Sequence, residues 1–60
     1  MKDTRNRYEV LVDLRQDLKL LAMDLILYDN KFNDDSSAGR EHIVNAVKYL
    51  ENKIKEVYNA

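Results

Sequence analysis

Apolar residues recur along this chain at helical spacing. Leu11, Leu14, Leu18, Leu21, Leu25, Tyr28 and Phe32 follow one another at alternating intervals of three and four. That alternation keeps one stripe of an α-helix turned toward a partner over several turns, and it predicts a first helix from about residue 3 to about residue 30. Asp3 and Thr4 are the residue types that accept from the free N–H groups of a first turn, so one of them is the expected cap. Ile43, Val47, Leu50, Ile54 and Val57 repeat the pattern and predict a second helix over about 37–59. Alternation with period two, the mark of a half-buried strand, is absent.

Between the two seams lies Asp29-Asn30-Lys31-Phe32-Asn33-Asp34-Asp35-Ser36-Ser37, a run of residues that favour turns. The loop is expected at about 31–36. Asn30 and Asn33 are the candidates to end the first helix, because the single glycine stands elsewhere, at position 39. Ser36 or Ser37 is the expected cap of the second. Phe32 keeps the heptad phase and is expected to fold back over the open end of the hairpin. The predicted fold is all-α: one domain over 1–60, an antiparallel two-helix hairpin with heptad seams that pairs into a dimeric four-helix bundle.

The pairing follows from a second apolar stripe. Leu20, Met23 and Leu27, with Ile26 beside them, make the first helix apolar nearly all round between residues 20 and 28, as in a helix buried on several sides. These four residues are the expected partner or dimer interface. A second copy of the chain is the leading occupant, since short helical chains commonly solve this problem by two-fold symmetry, and a different protein is the next. A membrane surface is not expected, because a surface-lying helix rims its apolar face with Lys and Arg. Here Asp17 and Asp24 hold the rim and only Lys19 is basic.

Composition narrows the function classes. With 60 residues the chain buries only about 60% of its unfolded surface, too little for a pocket-sized core. It has no cysteine, hence no disulfide framework and no thiol nucleophile. Ten Lys and Arg against eleven Asp and Glu give a net charge of −1, with no bulk pull toward nucleic acid or anionic membrane. The longest apolar stretch, Leu20 to Tyr28, is interrupted by Asp24 and falls far short of the roughly 20 residues that span a bilayer. A cytoplasmic protein, complete as given, is the expectation.

His42 is the only histidine, and no Ser, Thr or Asp stands at a spacing that would build a triad with it along a helix. The acidic loop fails every calcium-loop register: starting at Asp29 puts Lys31 and Arg40 at ligand positions, and starting at Asn33 puts Ala38 where glycine is needed. No enzyme activity, cofactor or metal is therefore expected. On the second helix, His42, Asn45 and Tyr49 share a face away from the seam, a candidate contact in which Tyr49 would be the anchor. The competing partner is nucleic acid, through Arg5, Arg7, Arg15 and Lys19, with Lys2, Asn6 and Tyr8 among them. Asp3, Glu9, Asp13 and Asp17 on the same segment would repel phosphates.

In length and two-seam plan the chain resembles the plasmid copy-number regulators of the repressor-of-primer type. That resemblance implies a dimer of helical hairpins and a partner of paired RNA loops. Its size and style also resemble the small accessory proteins encoded by phages and plasmids. The residues themselves point to a non-enzymatic helical interaction module acting as regulator, inhibitor or adaptor. The alternative is a dimeric nucleic-acid-binding regulator with a basic N-terminal helix face.

Overall fold

A computed structural model describes residues 6–59, and these form two α-helices packed side by side: α1 (Arg7–Phe32) and α2 (Ser37–Asn59). The expected caps Asp3 and Thr4 lie outside the described residues. The cap of α1 is Asn6, in extended conformation, whose side-chain oxygen accepts from the Glu9 N–H at 2.9 Å while its amide donates to the Glu9 carboxylate at 3.2 Å. The first bond is the forward half of a capping box, and the return bond joins the two side chains instead of reaching the Asn6 backbone N–H. The described helix starts at Arg7, with Asn6 at its cap, and the start expected near residue 3 lies outside the described residues.

At its other end α1 runs to Phe32 and stops at Asn33, whose φ of 51° and ψ of 50° place it in the left-handed region. Asn tolerates that conformation better than any other non-glycine residue. The Asp29 carbonyl accepts from the N–H groups of both Asn33 and Asp34, which ties off the last turn. The chain then reverses in four residues, and the Ser36 carbonyl accepts the first bond of α2 from the Arg40 N–H at 2.9 Å. Ser36 thus stands at the cap position, but the carboxylate that caps is Asp35, accepting from the Ser37 N–H at 2.9 Å.

The α2 face turned to α1 consists of Ile43, Val47, Leu50, Ile54 and Val57, all at least half-buried. Ile54 is the one buried residue among those described, at 9% exposure. The α1 face differs from the expected seam. Leu11, Leu18 and Leu25 are half-buried against α2, but Leu14, Leu21, Tyr28 and Phe32 are exposed. Their expected inward places are taken by Arg15, Ala22 and Asp29. The helix is therefore rotated by a fraction of a turn from the all-apolar register.

Two polar pairs and one small residue account for the rotation. Arg15 reaches across to Glu51, with 3.8 Å between Nη1 and Oε2. Asp29 bonds Ser36 and Arg40. Between them Ala22 lets the helix axes approach closely over the Ile43–Val47 stretch. Phe32 does not fold over the open end of the hairpin. Its ring packs on Tyr28, 5.2 Å between centroids and tilted by 42°, with the Lys31 ammonium above it. The free ends of the helices meet through Tyr8 and Tyr58, 6.1 Å apart.

The hairpin measures 44 × 25 × 13 Å. Its smallest dimension is about the diameter of one helix, so both broad faces are open to solvent.

Candidate functional site

Among the described residues, most side-chain hydrogen bonds gather at the turn. The Asp29 carboxylate accepts from the Ser36 backbone N–H through both oxygens at 3.1 Å, from the Ser36 hydroxyl at 2.9 Å, and from the Arg40 guanidinium. Arg40 also donates to the Ser36 hydroxyl oxygen at 3.2 Å. Partial burial opposes ionisation of Asp29, but the donors from Ser36 and Arg40 outweigh it, and its pKa lies below the usual carboxylate value. Asp35 is lowered as well, chiefly by the Ser37 N–H. Tyr28 donates to Asp34 at 2.9 Å, and that hydrogen bond to a carboxylate raises the phenol pKa. Each of these groups satisfies another within the turn. The constellation is a staple that holds the helices in register, and it leaves no carboxylate pair or nucleophile free for chemistry.

The open faces carry more. Twelve large apolar side chains are exposed among the described residues, nine of them on α1. Tyr8 stacks near Tyr58, and at about 100° per residue the other eight on α1 divide into three groups. Leu14, Leu21 and Tyr28, with Phe32, flank the seam on one broad face of the hairpin. Leu20 and Leu27 stand on the side of α1 farthest from α2. Met23 and Ile26 lie toward the opposite broad face. There an open groove of about 310 Å³ runs between the helices, lined by Lys19, Ala22, Met23, Ile43, Val44, Val47, Lys48 and Glu51.

The four residues expected as a partner or dimer interface, Leu20, Met23, Ile26 and Leu27, are thus all exposed, and Met23 reaches the groove. His42, Asn45 and Tyr49 are exposed on α2, on the broad face that carries Leu14, Leu21 and Tyr28. The Lys53 ammonium sits 5.6 Å above the Tyr49 ring and 3.5 Å from Glu56. The basic segment is scattered: Arg7 is exposed, Arg15 is drawn into the seam by Glu51, and Lys19 rims the groove. Arg5 and Lys2 lie outside the described residues.

Sequence reasoning missed the Leu14–Leu21–Tyr28 face as an open surface. It counted those leucines as covered, because apolar spacing alone cannot tell the two halves of a heptad seam apart. The signal that separates them is polar. Arg15 and Glu51 stand level across the hairpin, and a long cation facing a carboxylate fixes which side of α1 turns inward.

Among the described residues no helix is long and apolar enough to cross a membrane, and no three acidic or histidine side chains cluster to hold a metal. No family model, curated protein or solved structure matches the chain.

Proposed function

We propose that this chain is a non-enzymatic helical interaction module, a regulator, inhibitor or adaptor that associates with itself and presents its remaining apolar surface to a target protein. The observation that carries the reading is the ratio of covered to uncovered apolar groups. One residue, Ile54, is buried, while Leu27 stays 65% exposed and eleven other large apolar side chains stay open. A single broad apolar patch on a small protein marks a contact site, and here two broad faces and an outer stripe are uncovered at once. A module of this kind, completed by association, is the simplest use of such a surface. Met23 suits a target-binding edge, because its unbranched thioether adapts to irregular surfaces.

Enzymatic chemistry has little to work with. The Asp29 and Asp35 carboxylates already accept from donors within the turn, and His42 stands exposed. The nucleic-acid reading is weakened by Arg15, which lies half-buried beside Glu51 while Arg7 is exposed, so the two do not stand together on one open face.

The test is capture from the native cell with tagged wild-type protein and the Leu27→Lys variant, after both are shown equally helical by circular dichroism. A protein held by the wild type and released by the variant supports the reading. Identical capture by both, or retention of nucleic acid alone with a steep inverse dependence on salt, contradicts it.

A further inference from the structure

We infer that the broad face bearing Leu14, Leu21 and Tyr28 is a self-association surface, on which α1 of one chain packs against α2 of a second copy, with both turns at the same end of a four-helix bundle. The inference rests on the self-association proposed above and specifies its interface and topology.

The first support is the phase of the heptad. In a four-helix bundle each helix has two neighbours, and its seam points between them toward the bundle centre. In α1 the half-seam Leu11, Leu18 and Leu25 is turned to α2, while the half-seam Leu14, Leu21 and Tyr28 is turned to the open face. Two helices packed on each other alone use only the first half. The same chain therefore carries a complete bundle seam of which the hairpin covers only one side. Tyr28 is ready for burial, since its hydroxyl already donates to Asp34 and only the ring remains to be covered.

Complementarity then selects the partner element. The side-by-side packing places Tyr8 level with Tyr58 and Arg15 level with Glu51. In the same register Leu21 is level with Asn45, next to Ala46, while Asp24 is level with His42 and Asp17 with Tyr49. On the open face α1 is large and acid-rimmed: Leu14, Leu21 and Tyr28 beside Asp17 and Asp24. Neither aspartate has a partner among the described residues. On that face α2 offers Ala46, a small half-buried residue, together with His42, Tyr49 and the Lys53 ammonium, which lies over the Tyr49 ring and 3.5 Å from the Glu56 carboxylate.

A two-fold axis parallel to the helices lays α1 on the second copy's α2 at the same level. Leu21 then meets the partner's Ala46, large against small. Asp24 meets the partner's His42, and Asp17 meets the partner's Tyr49 and Lys53. A two-fold axis across the helices would instead lay α1 on its own copy. Leucine would then crowd leucine, and the aspartate rims would face each other with no cation between them. Like charges so placed repel, and packing without small residues holds the axes apart. The arrangement also leaves Leu20, Leu27 and the groove around Met23 outside the bundle, free for a target.

The chain has no cysteine, so introduced thiols report without background. Chains carrying Leu21→Cys and chains carrying Ala46→Cys are prepared with tags of different mass, checked as dimers by sedimentation under reducing conditions, mixed and mildly oxidised. The inference predicts a mixed Leu21→Cys/Ala46→Cys disulfide as the dominant product, because facing positions on closely packed helices lie within disulfide reach. Each variant alone should cross-link several-fold less, its two thiols lying on diagonal helices. Dominant homodisulfides, or dimers that do not cross-link at all, overturn the arrangement while leaving self-association standing. Monomeric variants together with monomeric wild type overturn the inference and the self-association on which it rests.

Discussion

Leu21→Ala separates what the hairpin covers from what a second copy would cover. Leu21 is 48% exposed in the hairpin, so about half of its side chain has already left water. Full burial of a leucine is worth about 1.5–3 kcal/mol, and roughly 1 kcal/mol therefore remains to be gained when the open face is covered. A two-fold dimer contains the site twice. Truncation should weaken association by about 2 kcal/mol, a rise in Kd of roughly 30-fold at about 1.4 kcal/mol per tenfold. Within the hairpin itself the loss is about 1 kcal/mol per chain, small enough to leave the helices formed. Leu27→Ala is the comparison, because Leu27 is 65% exposed on the far side of α1 and outside the inferred interface. Its Kd should stay within about threefold of wild type, in line with surface substitutions generally. Sedimentation equilibrium over a concentration series gives both constants, with circular dichroism confirming equal helicity. If Leu27→Ala weakens association and Leu21→Ala leaves it unchanged, the reasoning is refuted and the far side of α1 is the dimer face.

Ile54→Ala removes three carbons at the best-covered position and should cost about 2–4 kcal/mol per chain in urea unfolding, more than any other single truncation in the α2 seam. The turn should give the protein an acid limit. Asp29 and Asp35 have folded pKa values below their unfolded ones, so their contribution is fully present above about pH 4 and is lost as pH falls through the folded values. Thermal melts between pH 7 and pH 2 check this. Asp29→Asn should lower the midpoint at neutral pH and flatten the acid limb, and an unchanged limb would contradict the assignment. Tyr28, raised by Asp34, works in the opposite sense. Its contribution is present below about pH 10 and is lost as pH rises through its folded pKa, so Tyr28→Phe should flatten the alkaline limb.

The two helices were unequally legible in the sequence. In α2 every large aliphatic residue but Val44 lies on one side, and Ile43, Val47, Leu50, Ile54 and Val57 are the residues that face α1. In α1 they lie on several sides, and spacing could not decide between the half-seam at Leu14 and Leu21 and the true inward line through Arg15, Ala22 and Asp29. That choice is made by pairs far apart in the chain, Arg15 with Glu51 and Asp29 with Arg40, which local periodicity does not register. Asn33 was recognisable as a helix end, because few other residues take the left-handed conformation cheaply. Phe32 was misplaced for the same reason as the leucines. It keeps the heptad phase, but the helix it belongs to is rotated, and its ring lies on Tyr28. The stripe of Leu20, Met23, Ile26 and Leu27 was visible from its spacing, and all four side chains stay exposed beside α2.

The central claim is that the hairpin is half of a helical bundle, and the concentration dependence of its thermal unfolding tests it most directly. When folding is coupled to association, the midpoint rises with chain concentration. Melts followed by circular dichroism from about 1 to about 100 μM, alongside sedimentation at the same concentrations, should show a rising midpoint and a species near twice the 7.1 kDa chain mass. A fully helical species of single-chain mass, melting at one temperature across that range, would contradict the account.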